Sequence, residues 1–236
     1  MLAIYKKELS AYFNNFFGYA FIFIFTVLCG FFFIRDCIFS GTNELNDIFA
    51  GMSTISMLIV PLLTVQMFTM EKKQNTWTML VAAPVDAFGI VLGKYLAAVS
   101  VILLCVSFTW IYAIVLSIYV PVFLGEFVIN QIGYALMLCA FTAIGELISV
   151  MSKRRLAASA ITLCVLFIMF ITSLSSSYIG SAALTSVLKI FSPYTAYSYF
   201  SLGIFSLSGM VYLLTICAIC LVLAARYVEY GRSRGI

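Results

Sequence analysis

The sequence contains no histidine, and charged residues make up only 9% of it, against roughly 25% in an average soluble domain. Without histidine the chain lacks the commonest general base of enzymes, and the histidine motifs of metalloproteases are excluded. The seven cysteines lie in or beside apolar runs, and Cys217 with Cys220 supplies too few ligands for a metal. We therefore expect no catalytic residue, no metal and no cofactor in this chain, and no enzyme activity of its own.

Apolar residues are what the sequence has in abundance. They account for 64% of the chain, and the mean hydropathy is +1.14. Six runs come near the ~20 residues that a transmembrane helix needs. They are approximately Phe17–Ile34, Ile48–Thr69, Ile90–Val120, Phe127–Met151, Leu156–Leu174 and Leu207–Tyr227. The sequence predicts an all-α integral membrane protein, with six transmembrane helices in a single domain of residues 1–236.

The basic residues decide the orientation of these spans. With both termini in the cytoplasm, eleven of the 13 lysines and arginines are cytoplasmic, and only Arg35 and Lys189 are outside. Cytoplasmic loops of membrane proteins carry such an excess of Lys and Arg, and an even number of spans returns both termini to one side. The net charge of +4 does not indicate a nucleic-acid partner, because the basic residues stand at the ends of apolar runs. We expect a multi-pass protein of the cell (plasma) membrane with cytoplasmic termini.

Residues 1–15 have the pattern of an amphipathic helix. One face carries Leu2, Tyr5, Leu9, Tyr12 and Phe16, and the other carries Lys6, Lys7, Ser10 and Asn14. A helix of this kind lies in the headgroup plane of a membrane. The alternative is a polar extension without that role.

The polar segment 71–86 joins the second and third spans and has a helix pattern of its own. A polar residue at position 75 or 76 can cap a short helix, and Pro84 ends it. One face of that helix carries Trp77, Leu80 and Val81 at helical spacing. We expect a docking element for a partner in the cytoplasm. The alternative is that Trp77 only anchors in the headgroup layer, as interfacial tryptophans do.

The third span is longer than a bilayer requires. A helix that starts after Asp86, whose side chain is placed to cap it, and ends at Val120 would measure roughly 50 Å, against a hydrocarbon core of ~30 Å. We expect its first turns to project into the cytoplasm, which places Lys94 at the membrane interface.

Residues 173–206, between the fifth and sixth spans, are rich in serine and tyrosine and are still moderately apolar. A structureless loop of this length is uncommon in a compact domain. We expect short helices that dip back into the outer leaflet, because irregular backbone at membrane depth is tolerated where protein surrounds it. An extra pair of short crossings is the alternative.

Glu146 is a carboxylate within the fourth span, which makes it a candidate functional residue. Three interpretations are open. It pairs with Lys94 or Arg155, it contacts a cytoplasmic partner together with Lys153, Arg154 and Arg155, or it relays a proton. Its distance of about two helical turns from Lys153 lets it reach the cytoplasmic interface.

Gly89, Gly93 and Lys94 superficially match a phosphate-binding loop. Three residues separate the two glycines where that loop has four, Tyr95 replaces its Ser/Thr, and no strand precedes it. We therefore expect no nucleotide site in this chain. With Ala97, the glycines form a row of small residues suited to close helix packing.

Three stretches carry a family pattern that covers nearly the whole chain. The first is Lys7-Glu8-Leu9 with Tyr12-Phe13 and Gly18-Tyr19, the second is Glu71-Lys72-Lys73 with Thr76, Leu80, Pro84 and Val91-Leu92-Gly93-Lys94, and the third is Phe191-Ser192-Pro193 with Phe200, Gly203, Tyr212, Arg226 and Glu229. In this order and placement the stretches resemble the ABC-2-type permeases, the membrane subunits of ATP-binding-cassette transporters, and most closely their gliding-motility and nitrous-oxide-maturation branch. Glu146 departs from that pattern, in which an apolar residue usually follows the glycine.

The resemblance implies a permease subunit of an exporter, driven by a separate ABC ATPase subunit that binds ATP and Mg²⁺. It also implies an interfacial helix within 1–15, a coupling helix within 71–86, a re-entrant hairpin within 173–206, and a second permease chain, identical or related. The residues expected to couple to the ATPase are Glu71, Lys72, Lys73, Thr76, Trp77, Leu80, Val81 and Pro84.

Two other functions fit parts of the pattern. A non-transporting membrane anchor for an ATPase-driven machine would show the same residues as an exporter. A secondary transporter would need ion-coupling charges near the midplane and internal inverted repeats, and the sequence shows almost none of the former and no sign of the latter. An ATPase gene beside the gene for this chain would favour the transporter family.

Overall fold

The computed structural model of the chain describes residues 1–14, 16–39, 46–73, 86–119, 123–152, 154–175 and 192–233, and within these ranges its regular elements are all helices. The helices are α1 (Leu2–Asn14), α2 (Phe16–Phe32, continued by a π-helical segment Phe33–Phe39), α3 (Asn46–Thr64), α4 (Gln66–Lys73), α5 (Ala87–Ser107), α6 (Thr109–Tyr119), α7 (Leu124–Met151), α8 (Arg155–Ser175), α9 (Pro193–Ser201) and α10 (Leu207–Ser233).

The six predicted spans are confirmed as helical stretches long and apolar enough to cross a membrane. In the described residues they run over Gly18–Phe39, Ile48–Met70, Ala87–Tyr119, Leu124–Met151, Arg155–Leu174 and Leu207–Arg232. Their bounds lie within a few residues of those read from the sequence, because apolar runs and helix limits coincide here. The chain therefore has the features of an all-α, multi-pass membrane protein.

The third span is not the continuous helix that the sequence predicts. The N–H of Phe108 donates to the carbonyl of Cys105 (3.1 Å), three residues back, so the helix tightens there and divides into α5 and α6. The carbonyl of Val106 accepts instead from the Thr109 hydroxyl (2.7 Å) and from the Gln131 amide of α7 (3.2 Å). Side-chain donors that enter the backbone ladder interrupt a helix in this way. At its other end, α5 starts directly after Asp86 as predicted, although Asp86 makes no side-chain capping bond.

α7 is the central helix of the bundle, and it contacts α3, α4, α5, α8, α9 and α10. Two glycines let its neighbours approach closely. A Cβ at Gly133 would lie 2.3 Å from the Cβ of Phe200, and one at Gly145 would lie 2.4 Å from the Thr64 Oγ1. α8 and α10 lie at the periphery and leave many apolar side chains exposed, including Ile161, Phe167, Ile168, Ile219 and Val222.

α9 packs inside the bundle between the spans. The Tyr194 hydroxyl donates to the Ser53 carbonyl of α3 (3.0 Å), and the Tyr197 hydroxyl donates to Asn130 Oδ1 of α7 (2.7 Å). Gly203, with φ of 72°, then turns the chain towards α10. α9 is thus a short helix within the predicted 173–206 segment, of which residues 176–191 lie outside the described part.

α1 packs against α5 and α2. The predicted polar face of Lys6, Lys7, Ser10 and Asn14 is exposed, as expected, and Tyr5, Leu9 and Tyr12 of the predicted apolar face are half-buried. Leu2 of the same predicted apolar face is 76% exposed. Ile4 and Glu8 face the bundle instead, because α1 lies on the glycine side of α5. A Cβ at Gly93 would come within 3.0 Å of Ile4 Cγ2.

Candidate functional site

A buried ion pair joins α1 to α5. The Lys94 side chain is 1% exposed, and its Nζ donates to Glu8 Oε1 at 2.9 Å and to the Met67 carbonyl of α4 at 2.8 Å. The ring of Phe68 lies under the same ammonium, 5.0 Å from its centroid. Lys94 therefore connects α1, α4 and α5. We call the end of the bundle where these three helices meet the α1 end.

The predicted position of Lys94 at the membrane interface stays a prediction, and the structure adds that the side chain is buried within the protein. Lys94 lies two turns into α5, where α1 and α4 shield it from the surroundings. A buried ammonium is costly unless it is paired and hydrogen-bonded, and here Glu8 and Met67 supply those partners. The sequence of α1 contains an indication that Glu8 faces the bundle. Ile4, Glu8 and Tyr12 recur every four residues and so share one helix face.

Glu146 lies on α7, five residues before its end, and is fully buried. Neither of its carboxylate oxygens has a hydrogen-bond partner in the described part of the chain. Pairing with Lys94 or Arg155, one of the three interpretations, therefore does not take the form of a hydrogen bond in the described part, where Lys94 bonds to Glu8 instead. Lys94 and Glu8 are both close enough to interact electrostatically with Glu146.

Tyr12 completes this group of ionisable side chains. It is half-buried on α1, one turn after Glu8. Burial, together with the negative charges of Glu8 and then Glu146, raises the pKa of the Tyr12 phenol. We call Glu8, Tyr12, Lys94 and Glu146 the α1 cluster. It contains two carboxyl groups and a single ammonium.

Lys72 belongs to the predicted coupling set, and it holds the end of α7. Its Nζ donates to the carbonyls of Val150 and of Ser152, the latter at 3.0 Å, and lies 6.0 Å from the centre of the Tyr227 ring of α10. The last carbonyls of a helix have no partners within the helix, and a cation there also suits the helix dipole. Lys72 therefore ties the end of α4 to the end of α7.

The other predicted coupling residues are only partly described. Glu71 and Lys73 belong to the last turn of α4, and their side chains are outside the described part. Thr76, Trp77, Leu80, Val81 and Pro84 lie outside the described residues altogether. Among the predicted contacts near Glu146, Lys153 also lies outside them, Arg154 is exposed and Arg155 is half-buried at the start of α8. The structure thus brings Lys72 and Glu146 to the same end of the bundle.

An apolar groove of about 490 Å³ opens between α2, α3 and α8. Its lining consists of Phe16, Ala20, Phe21, Ile24, Ile59, Leu62, Val65, Leu156 and Ser159, with Arg155 at its rim. The small residues Ala157, Ala160 and Cys164 are exposed on the neighbouring face of α8. This side of the molecule is therefore apolar, with a groove next to a face of small side chains on α8.

Four of the cysteines, Cys29, Cys37, Cys105 and Cys217, are buried in the bundle, and Cys164 is exposed. The Tyr95 hydroxyl lies 3.2 Å from the Cys139 carbonyl and 3.6 Å from the Cys217 sulfur. Among the described residues no three His, Cys, Asp or Glu side chains come together in a way that could hold a metal ion.

Comparison of the chain with protein-family models and with curated proteins finds no match.

Proposed function

We propose that this chain is the permease subunit of an ATP-binding-cassette exporter, whose transport is driven by ATP and Mg²⁺ on a separate ATPase subunit. The observation that carries the proposal is the connection of four helices at the α1 end by two lysines. Lys72 joins the end of α4 to the end of α7, and Lys94 joins α4 and α5 to α1. Segment 71–86 leaves from α4 and returns to α5, so a movement imposed on it reaches all four helices.

The charge distribution supports an α1 end that faces the cytoplasm. The described basic residues at this end are Lys6, Lys7, Lys72, Lys94, Arg154, Arg155, Arg226 and Arg232, whereas Arg35 lies at the opposite end. An excess of basic residues on the cytoplasmic side is the general rule for multi-pass proteins. An ATPase in the cytoplasm would therefore meet segment 71–86, with Trp77, Leu80 and Val81 as its docking face.

Two further elements fit the same architecture. α1 exposes Lys6 and Lys7 while its other face packs on α5 and α2, which suits a helix in the headgroup layer. Tyr194 of α9 packs against Phe141 in the middle of α7, with ring centres 5.4 Å apart, and Gly203 turns the chain back into α10. We assign α1 as the interfacial helix and α9 as the returning arm of a re-entrant hairpin at the outer side.

A second permease chain, identical or related, completes the proposed transporter. One chain supplies one 71–86 segment, whereas the resemblance implies two ATPase subunits. Ala157, Ala160 and Cys164 face outward on α8, and small side chains allow transmembrane helices to approach closely. This face of α8 is the contact that we assign to the second chain.

Co-reconstitution tests the function. The chain is purified together with a candidate ABC ATPase chosen from the neighbouring genes and placed in liposomes, with a Walker-lysine variant of the ATPase as the control. The proposal expects a stable complex that contains two permease chains and shows ATP hydrolysis faster than that of the ATPase alone. A chain that binds no ABC ATPase contradicts the proposal. A complex that hydrolyses ATP but moves no co-purified substrate across the liposome membrane favours the membrane anchor.

A further inference from the structure

The α1 cluster has one negative charge too many for the pairs that it forms. If all its groups except Tyr12 are ionised, Glu8 and Glu146 carry two negative charges and Lys94 carries one positive charge. Lys94 is bonded to Glu8 Oε1 at 2.9 Å and to the Met67 carbonyl at 2.8 Å. Glu146 is 0% exposed, and neither of its oxygens has a hydrogen-bond partner among the residues that the structure describes. An isolated buried carboxylate is among the most costly groups in a protein or a membrane.

We propose that Glu146 is a proton-binding site, whose carboxyl group carries a proton while Lys94 is paired with Glu8. The proton comes from solvent water and bonds to one carboxylate oxygen. It balances the charge of the cluster and removes the cost of an unpaired anion. The proposal rests on the geometry of the α1 cluster and does not depend on the proposed transport function.

The hydroxyl groups beside Glu146 on α7 are directed elsewhere. The Thr142 hydroxyl, one turn before it, donates to the Leu138 carbonyl at 2.6 Å. The Ser149 hydroxyl, one turn after it, contacts the Val65 carbonyl at 3.4 Å and accepts from the Phe68 N–H at 3.3 Å. Across the helix contact, the Thr64 hydroxyl donates to the Val60 carbonyl at 3.2 Å. A proton on Glu146 is therefore the simplest source of compensation for its charge.

Glu8 and Tyr12 on α1 and Lys94 on α5 interact electrostatically with Glu146. Three further titratable groups lie near the same end of the bundle, namely Lys72 on α4, Arg155 on α8 and Tyr227 on α10. Lys72 is directed to the carbonyls at the end of α7, and α3 presents Thr64, which does not titrate. Lys94 is thus the cation that interacts with Glu146, and its bonds to Glu8 and Met67 leave that carboxyl without a hydrogen bond.

A metal cation is a poorer match for this site than a proton. Calcium takes six to eight oxygen ligands, and magnesium requires near-ideal octahedral coordination. The described residues offer no group of three carboxylate, thiol or imidazole ligands, and the nearby hydroxyls are bonded to the backbone. A single proton needs only the one oxygen of Glu146 that it bonds to.

The proton on Glu146 is linked to the position of α1. When α1 leaves α5, Lys94 loses Glu8, and Glu146 becomes the carboxylate available to it. Pairing of Lys94 with Glu146 then breaks the O–H bond of the Glu146 carboxyl, and the proton returns to solvent water. Because such linkage is reciprocal, a proton on Glu146 favours the packed position of α1.

Infrared spectroscopy of the full chain in lipid nanodiscs tests this site. The wild-type protein is expected to show the C=O stretch of a protonated carboxylic acid, with a small shift in D₂O, and Glu146→Gln is expected to lose it. Glu8→Gln is expected to lose it as well, because Lys94 then pairs with Glu146 and the carboxyl ionises. Glu229→Gln is the matched control, since Glu229 is half exposed beside Arg226, and it is expected to leave the band unchanged.

Three results would overturn the proposal. The first is a folded wild-type protein without the band, and the second is a band that persists in Glu146→Gln. The third is a band that appears only after sodium is removed, which would assign the site to a metal cation. If Glu146→Gln does not fold, Glu146→Asp provides the second variant, because it retains a carboxyl. Isotope labelling of the wild type then assigns the band: it must shift when glutamate is ¹³C-labelled and stay in place when aspartate is ¹³C-labelled.

Discussion

Glu8 and Lys94 are 86 positions apart in the chain, and their side chains meet at 2.9 Å inside the protein. Neither residue would be unusual on a surface, but α1 and α4 bury Lys94 to 1% exposure. The pair therefore fixes α1 on α5 at one rotation and one depth. This makes α1 part of the membrane bundle, with a defined contact that mutations can open.

The first prediction concerns the stability of this pair. Lys94→Met should lower the free energy of unfolding by about 3 kcal/mol, the lower part of the range for a buried ion pair that loses one partner. Glu8→Gln should cost less, about 1 kcal/mol, because Glu146 offers Lys94 another carboxylate. The double variant Lys94→Met with Glu8→Gln should be more stable than Lys94→Met alone. In the single variant the Glu8 carboxylate has lost its partner, whereas in the double variant that charge is absent.

Unfolding of the purified protein in mixed detergent micelles, followed by intrinsic fluorescence, measures these differences. Lys6→Ala is the control on the exposed side of α1, and its effect should stay within about 0.5 kcal/mol. Equal and strictly additive losses for Lys94→Met and Glu8→Gln would show that the two side chains do not interact.

The second prediction concerns the contact between α1 and α5. A Cβ at position 93 would lie 3.2 Å from the Cβ of Ile4, just below the roughly 3.5–4.5 Å that separates the Cβ atoms of a disulfide, so a small outward shift of α1 brings the two positions into bonding range. On a cysteine-free background, Ile4→Cys with Gly93→Cys should therefore cross-link readily under mild oxidation. A gel-mobility or mass measurement before and after reduction reports the bond. Ala3→Cys with Gly93→Cys is the matched control, because Ala3 is exposed, and cross-linking in both pairs alike would contradict the packing of α1.

The third prediction concerns the central helix α7. A Cβ at Gly133 would lie 2.3 Å from Phe200 Cβ, so Gly133→Ala should destabilise the protein by about 1–3 kcal/mol through overpacking. Gly125→Ala, on the same helix, meets nothing within 4 Å and should be neutral or stabilising by about 0.5 kcal/mol. Thermal unfolding of both variants side by side provides the test. A neutral Gly133→Ala would mean that α9 does not lie against α7.

The fold was predictable from the sequence to the extent that it depends on local patterns. Apolar runs gave the six spans, and the spacing of Lys6, Lys7, Ser10 and Asn14 gave the exposed face of α1. The break at Phe108 was not predicted, because besides the local Thr109 hydroxyl it involves Gln131 from another helix bonding to the Val106 carbonyl. No local pattern contains that contact.

The candidate site was only partly predictable for the same reason. Glu146 stands out in the sequence, since a carboxylate within an apolar run is rare. The bond of Lys94 to Glu8 was not predicted, because Glu8 is distant in sequence and looks like an ordinary surface residue between Lys7 and Leu9. Glu8 shares a helix face with Ile4 and Tyr12. This position indicates a buried role for Glu8 only once α1 is known to pack on α5.

The fourth prediction concerns orientation in the membrane. If the α1 end faces the cytoplasm, single cysteines at positions 73 and 232 on a cysteine-free background should react with a membrane-impermeant thiol reagent only from the cytoplasmic side. A cysteine at position 44 should react only from outside. Arg232 is exposed near the end of α10, which makes its replacement by cysteine a mild change. Labelling of position 73 from outside in sealed cells would reverse the proposed orientation.

The last prediction concerns the segment that α4 leads into. Lys72 fixes the start of this segment to the end of α7, and the sequence places Trp77, Leu80 and Val81 on one face of a short helix that Pro84 ends. If that face sits in a groove of the ATPase, Trp77→Ala should remove a buried aromatic anchor at a cost of roughly 2–4 kcal/mol. The variant should insert normally but lose the ATPase on purification, or hydrolyse ATP without transport.

A double variant separates this role from a simple anchor in the lipid headgroups. Trp77→Phe with Leu80→Ser keeps an aromatic ring for the membrane but changes the shape and polarity of the docking face. An interface in a groove should be sensitive to that change, because hot-spot side chains fill defined pockets, whereas anchoring in the headgroup layer requires only an amphipathic ring. Loss of ATPase binding in the double variant supports docking. Full co-purification with unchanged transport-coupled hydrolysis would leave Trp77 as a membrane anchor and remove the basis for a coupling role of segment 71–86.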